Sequence, residues 1–170
     1  MLRKISTYLW CLWLFTACQP TQPQTEKEVE KEVAIEYDMK REEIKTDKAP
    51  LPVGPYSQAI KVGDMLYLAG QLGRDPVTSE MKSENLEMEV RQVMANLQAV
   101  LEAGDTNFDN VVQTTIYLSD LKDFSAMNDI YASYFKVAPP ARATVEVSNL
   151  ARNARLEIAM IAFIPPKKEK

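Results

Sequence analysis

Apolar and polar positions alternate over "YSQAIKVGDMLYLAGQLG", residues 56–73, on either side of Gly63-Asp64. Two half-buried strands joined by a tight primed turn account for that pattern. "DPVTSE", residues 75–80, is rich in turn formers. The period then lengthens: Leu86, Val90, Val93, Met94, Leu97, Val100 and Leu101 mark one stripe of a helix, with Gly104 a natural stop beyond it. "NVVQTTIYLSD" (110–120) is a β-branched strand. A second helix follows, with Asp123 placed to cap it and Phe124, Met127, Tyr131, Tyr134 and Phe135 on one face. "ATVEV" (143–147) and "RLEIAMIAFI" (155–164) close the pattern as strands. The order ββαβαββ over residues 49–165 predicts an α+β fold: a single mixed sheet with two helices on one face.

The last strand adds a second expectation. Leu156, Ile158, Met160, Ala162 and Ile164 suit the helix-covered side of the sheet. The opposite face carries Arg155, Glu157, Ala159, Ile161 and Phe163, and its far end is too apolar for water. Another subunit is expected to cover it.

Before residue 49 the pattern changes character. "MLRKISTYLWCLWLFTACQ" opens with Arg3 and Lys4, continues with a mostly apolar run from Tyr8 to Phe15, and ends in Thr16-Ala17-Cys18. That is the plan of a bacterial secretory leader, residues 1–17. "FTAC" resembles a lipobox, with Phe15 where leucine is favoured. Cys18 is the expected site of lipidation, which implies a membrane anchor and a place in the bacterial cell envelope; a plain cleaved leader is the alternative. Residues 18–48 read as that cysteine and a flexible charged spacer. Val29, Val33 and Tyr37 have the spacing of a short solvated helix. Residues 166–170 form a charged tail.

Composition narrows the chemistry. The 170 residues include 24 Asp+Glu, 20 Lys+Arg and no histidine. The acidic balance does not favour nucleic acid as a partner. Without histidine there is no Ser-His-Asp triad and no imidazole base. Both cysteines, Cys11 and Cys18, precede the predicted domain, so it has no thiol nucleophile. Arg, Asp/Glu, Tyr, Ser/Thr, Asn/Gln and backbone groups remain. Arg142, in "PPARATVEV" (139–147), is a charge at the mouth of a strand that otherwise reads as core. It is either a structural cation, for which Glu146 is the obvious partner, or a fixed charge for an anion.

Four stretches, "GPYSQAI", "LYLAGQLG", "FSAMNDIYASYF" and "PPARATVEV…RLEIAMIA", together resemble the RidA (YjgF/UK114) family of enamine/imine deaminases. The likeness spans residues 49–164. It implies a chorismate-mutase-like protomer, a homotrimer with clefts between subunits, and no cofactor or metal. The reaction implied is hydrolysis of 2-imino or 2-enamino acids, such as 2-iminobutanoate and 2-iminopropanoate, to 2-keto acids and ammonia. A trimer that binds small carboxylates without turnover is the alternative. RNA cleavage, attributed to some relatives, fits poorly with the acidic balance.

The resemblance also carries residue roles. Arg142 falls at the arginine that holds the substrate carboxylate, and Glu157 at the glutamate that positions or activates water. An Arg155 ion pair is the structural alternative for Glu157. Tyr56, Gly70, Asn128 and Thr144 fall at substrate-binding positions, Thr144 through its backbone where many members have cysteine. Ala69 stands where many members have serine, which bears on substrate preference.

Overall fold

The computed structural model describes residues 40–166. The leader, Cys18, most of the spacer and residues 167–170 lie outside the described residues. Six strands make one sheet: β1 Arg41–Ile44, β2 Ala59–Val62, β3 Met65–Gln71, β4 Val111–Leu118, β5 Ala141–Glu146 and β6 Leu156–Phe163. Their order is β1-β2-β3-β6-β4-β5. All neighbours are antiparallel except β4 and β5, which run parallel. Helices α1, Leu86–Ala103, and α2, Phe124–Ala132, pack on one face. This is the expected α+β single mixed sheet.

The core lies between sheet and helices. Val90, Val93, Met94, Leu97, Val100 and Leu101 of α1 are fully buried, as are Leu156, Ile158 and Ala162 of β6. Each of these side chains except Ala162 contributes about 1.5–3 kcal/mol of transfer free energy. Asn85 caps α1 by accepting from the Met88 N–H at 2.9 Å. Gly104 ends the helix, though not through a left-handed backbone, since its φ is −91°. The reason is packing: a Cβ there would run into the Leu66 side chain. Between β2 and β3, Gly63 takes the positive φ of +56° that the two-residue turn requires. Asp75 organises the next turn by accepting from the N–H groups of Val77 and Thr78 at 2.8 and 3.0 Å.

Two expectations are corrected. Strand β1 lies inside the segment read as spacer, so the sheet begins at Arg41 rather than after residue 49. It is an edge strand carrying Arg41, Glu42 and Glu43 exposed, so it shows none of the alternation that betrays a buried strand. The cap of the second helix is also displaced. Asp120 accepts from the Lys122 N–H at 2.9 Å and opens a 3-10 turn, Leu121–Asp123, that runs directly into α2. Asp123 therefore already has helical dihedrals (φ −77°, ψ −8°) and makes no capping bond.

Candidate functional site

The sheet register sorts the candidate residues by face. Thr114 of β4 lies opposite Arg142 of β5 and opposite Met160 of β6. Thr114 is buried and its hydroxyl accepts from Tyr131 of α2 at 3.1 Å, so this row faces the helices. Tyr117 lies opposite Glu157 and Val145, an odd number of residues further on, so that row faces away from them. Arg142 and Glu157 thus point to opposite faces of one sheet.

On the open face, Glu157 lines a cleft of about 390 Å³ with Pro50, Tyr56, Ala69, Gly70 and Arg74 among its walls. The register between β3 and β6 shifts between Leu68 and Gln71, a bulge that brings Gly70 over Glu157. A Cβ at Gly70 would lie 2.7 Å from the Glu157 carboxyl carbon, so only glycine permits this approach. Tyr56 reaches the cleft from the segment before β2, where its hydroxyl accepts from the Val53 N–H at 3.3 Å. Gln58 holds that segment in place. Its amide nitrogen lies 3.0–3.1 Å from the carbonyls of Thr46, Ala49 and Pro50, while its oxygen accepts from the Thr46 N–H at 2.8 Å.

Burial pushes the Glu157 carboxyl above its ordinary value. The ion pair with Arg155 that a structural role would need does not form among the described residues. An unpaired carboxyl with a raised pKa beside a cleft can take and return a proton.

On the helix side, Arg142 lines a second cleft of about 520 Å³ with Asn128, Tyr131, Phe135, Pro139 and Pro140. Its guanidinium carbon sits 5.0 Å from the centre of the Tyr131 ring and 5.7 Å from that of Phe124. Burial raises the Tyr131 phenol, opposed by its hydrogen bond to Thr114 and by the charge of Arg142. Glu146, the alternative partner for the arginine, instead accepts from the Leu121 N–H at 2.8 Å. Among the described residues no carboxylate forms an ion pair with Arg142. It is a charged fork, exposed and braced by two rings.

One chain therefore groups Tyr56, Gly70 and Glu157 in one cleft and Asn128 with Arg142 in the other. Thr144 lines neither, and its hydroxyl is buried without a hydrogen-bond partner. No group of three or more Cys, Asp or Glu among the described residues is arranged to hold a metal ion.

Sequence reasoning missed four residues that build these sites: Gln58, Arg74, Glu89 and Asn96. Glu89 and Asn96 fall within the apolar stripe of α1, seven residues apart, and that spacing was the available signal. Glu89, fully buried, accepts from the Arg155 N–H at 2.8 Å. Asn96 donates to the carbonyls of Leu72 and Arg74 at 3.0 and 2.8 Å. Each fixes backbone leading into the Glu157 cleft.

A mixed six-stranded sheet with two helices on one side is an architecture shared with solved proteins. The crystal structure of RidA from an Antarctic Psychrobacter superposes with a TM-score of 0.70 at 41% identity, over 72% of this chain and 99% of that one. Residues 46–164 match the family model described as Endoribonuclease L-PSP, and the chain belongs to this family, that of RidA. A RutC family protein of Saccharolobus solfataricus is 50% identical over 122 residues, 72% of this chain and 97% of that protein. The mouse 2-iminobutanoate/2-iminopropanoate deaminase is 42% identical over 126 residues, 74% of this chain and 93% of its own.

Proposed function

We propose that this protein hydrolyses 2-imino and 2-enamino acids to 2-keto acids and ammonia, at sites completed by a second copy of the chain in a homotrimer. The observation that carries the reading is the complementarity of the two clefts. One offers an unpaired guanidinium held by aromatic rings, the other an unpaired carboxyl raised by burial. They lie on opposite faces of one sheet, so a neighbouring copy must bring the Arg142 cleft of one chain to the Glu157 cleft of another. The name of the mouse deaminase supports the substrate class.

In this reading Arg142 binds the substrate carboxylate through its planar fork. That fixes C2 of the imine beside a water held by Glu157. The water oxygen bonds to C2 of the protonated imine as the Glu157 carboxylate takes one of its protons and the C=N electron pair moves to nitrogen. Glu157 then returns its proton to the nitrogen of the resulting carbinolamine. The C2–N bond breaks, ammonia leaves, and loss of the hydroxyl proton yields the keto group. Tyr56 and Asn128 line the two halves, and Gly70 leaves room for the Glu157 carboxyl.

The test uses the full chain and 2-iminobutanoate generated in place by an amino-acid oxidase, with semicarbazide trapping the surviving imine. Wild type lowers the trapped product. Arg142→Ala lowers kcat/KM by about 10- to 100-fold, the cost of losing a charge-assisted anchor. Undiminished efficiency in Arg142→Ala removes the anchor role. No hydrolysis by wild type, with keto-acid binding retained, makes the protein a carboxylate-binding trimer instead.

A further inference from the structure

The Glu157 cleft holds a cation that the hydrolysis does not use. Arg74, just beyond β3, is only 7% exposed and forms part of the cleft wall. Its Nη2 donates to the carbonyl of Leu51. A guanidinium has five N–H donors, and among the described residues this one has no other side-chain bond and no carboxylate partner. Asp75, the adjacent acid, is taken up by Val77, Thr78 and Lys82. Glu157 lines the same cleft but forms no ion pair with it.

A charge this buried is costly to keep without a counter-ion. Yet the position is built rather than loose. Asn96, itself buried, holds the carbonyls of Leu72 and Arg74, and Gly73 between them packs directly against Glu89. On the rim of the same cleft, Arg152 adds a second guanidinium. The backbone there is left-handed at two successive non-glycine residues, Arg152 (φ 58°) and Asn153 (φ 55°), a conformation kept only where the surroundings enforce it.

We infer that Arg74, with Arg152 at the rim, forms an anion subsite in the Glu157 cleft that selects 2-imino acids bearing a second acid group on the side chain. The inference rests on the proposed function for its substrate frame. In that frame Arg142 takes the carboxylate next to C2, Glu157 addresses C2 itself, and Arg74 stands in the wall of the Glu157 cleft, open to a group on the substrate's side chain. A dicarboxylic imine satisfies both cations. A four-carbon monocarboxylic imine leaves Arg74 unpaired.

Calorimetric titration of the full chain with two keto acids, 2-oxoglutarate and 2-oxobutanoate, tests this without depending on turnover. Wild type binds the dicarboxylate at least about tenfold more tightly, the scale of one added charge-assisted contact. Arg74→Met brings the ratio of the two affinities to near unity, and Arg152→Ala lowers it part of the way. Equal binding of the two acids by wild type, or no binding of either, overturns the subsite; that outcome fits neutralisation of Arg74 by a second copy. Should Arg74→Met not fold, the exposed Arg152→Ala decides, and an unmoved ratio there overturns the assignment. Preference for the dicarboxylate without imine hydrolysis would retire the proposed reaction and keep the subsite. Hydrolysis without preference would do the reverse.

Discussion

Arg142 illustrates how one side chain is made ready by others. Tyr131 lies under its guanidinium, and the Tyr131 hydroxyl is tied to Thr114, the residue directly beside Arg142 in the β4–β5 ladder. The three form a closed brace between helix and sheet. Tyr131→Leu removes the ring and is expected to raise KM for a carboxylated imine by about 2- to 30-fold, with kcat nearly unchanged. Tyr131→Phe keeps the ring and recovers most of that affinity, at a cost in stability from the unpaired Thr114 hydroxyl. Steady-state kinetics on both variants checks this, and a fall in kcat alone would contradict the brace. Arg142 was legible in the sequence as a charge out of place. Its partners were not, because Tyr131 read only as part of an apolar face.

At the scale of elements, α1 does more than cover the sheet. Glu89 reaches from its buried face to the Arg155 N–H, two residues before Glu157, so the helix holds the start of β6. Burial raises the Glu89 carboxyl above 4.5, with the Arg155 N–H as the largest opposing influence and Asp123 adding to the rise. The sign follows. Above pH 4.5 the unfolded chain gives up this proton before the native state does, so native stability falls as pH rises through the raised value. Glu89→Gln keeps the acceptor and removes the titration. Its melting temperature relative to wild type is expected to climb between pH 4 and pH 8. A flat difference across that range would show that Glu89 titrates normally. Most elements were readable from periodicity, including both helices and the strands from β2 to β6. Strand β1 was not, since a charged edge strand buries too little to pattern its sequence.

For the whole molecule, the open face of the sheet is the decisive feature. Tyr67 is 46% exposed and Phe163 37%, with Ile161 between them in the ladder and only partly buried. Such an apolar face favours closed association of identical chains. The composite sites proposed above have a direct consequence. Arg142→Ala and Glu157→Gln proteins, each assembled as the proposed homotrimer, are expected to be nearly inactive on 2-iminobutanoate. Unfolded and refolded together, they form mixed trimers in which about a quarter of the sites draw an intact arginine and an intact glutamate from different chains. Recovery of activity to roughly that fraction, measured by the semicarbazide assay, supports sites shared between copies. No recovery in verified mixed trimers would overturn a site shared between these two residues.

The sequence by itself determined the α+β pattern, which face of β6 is core, and the types of residue available for chemistry. Those properties are local: periodicity, turn formers and composition act over a few residues at a time. Tertiary structure decided which of those residues share a cleft. The pleat of β4, β5 and β6 sends Arg142 and Glu157 to opposite faces, a consequence of register between strands far apart in the chain. The bulge at Gly70, the Gln58 clasp and the buried charge of Arg74 arise the same way, from segments that meet only when the sheet has closed around its helices.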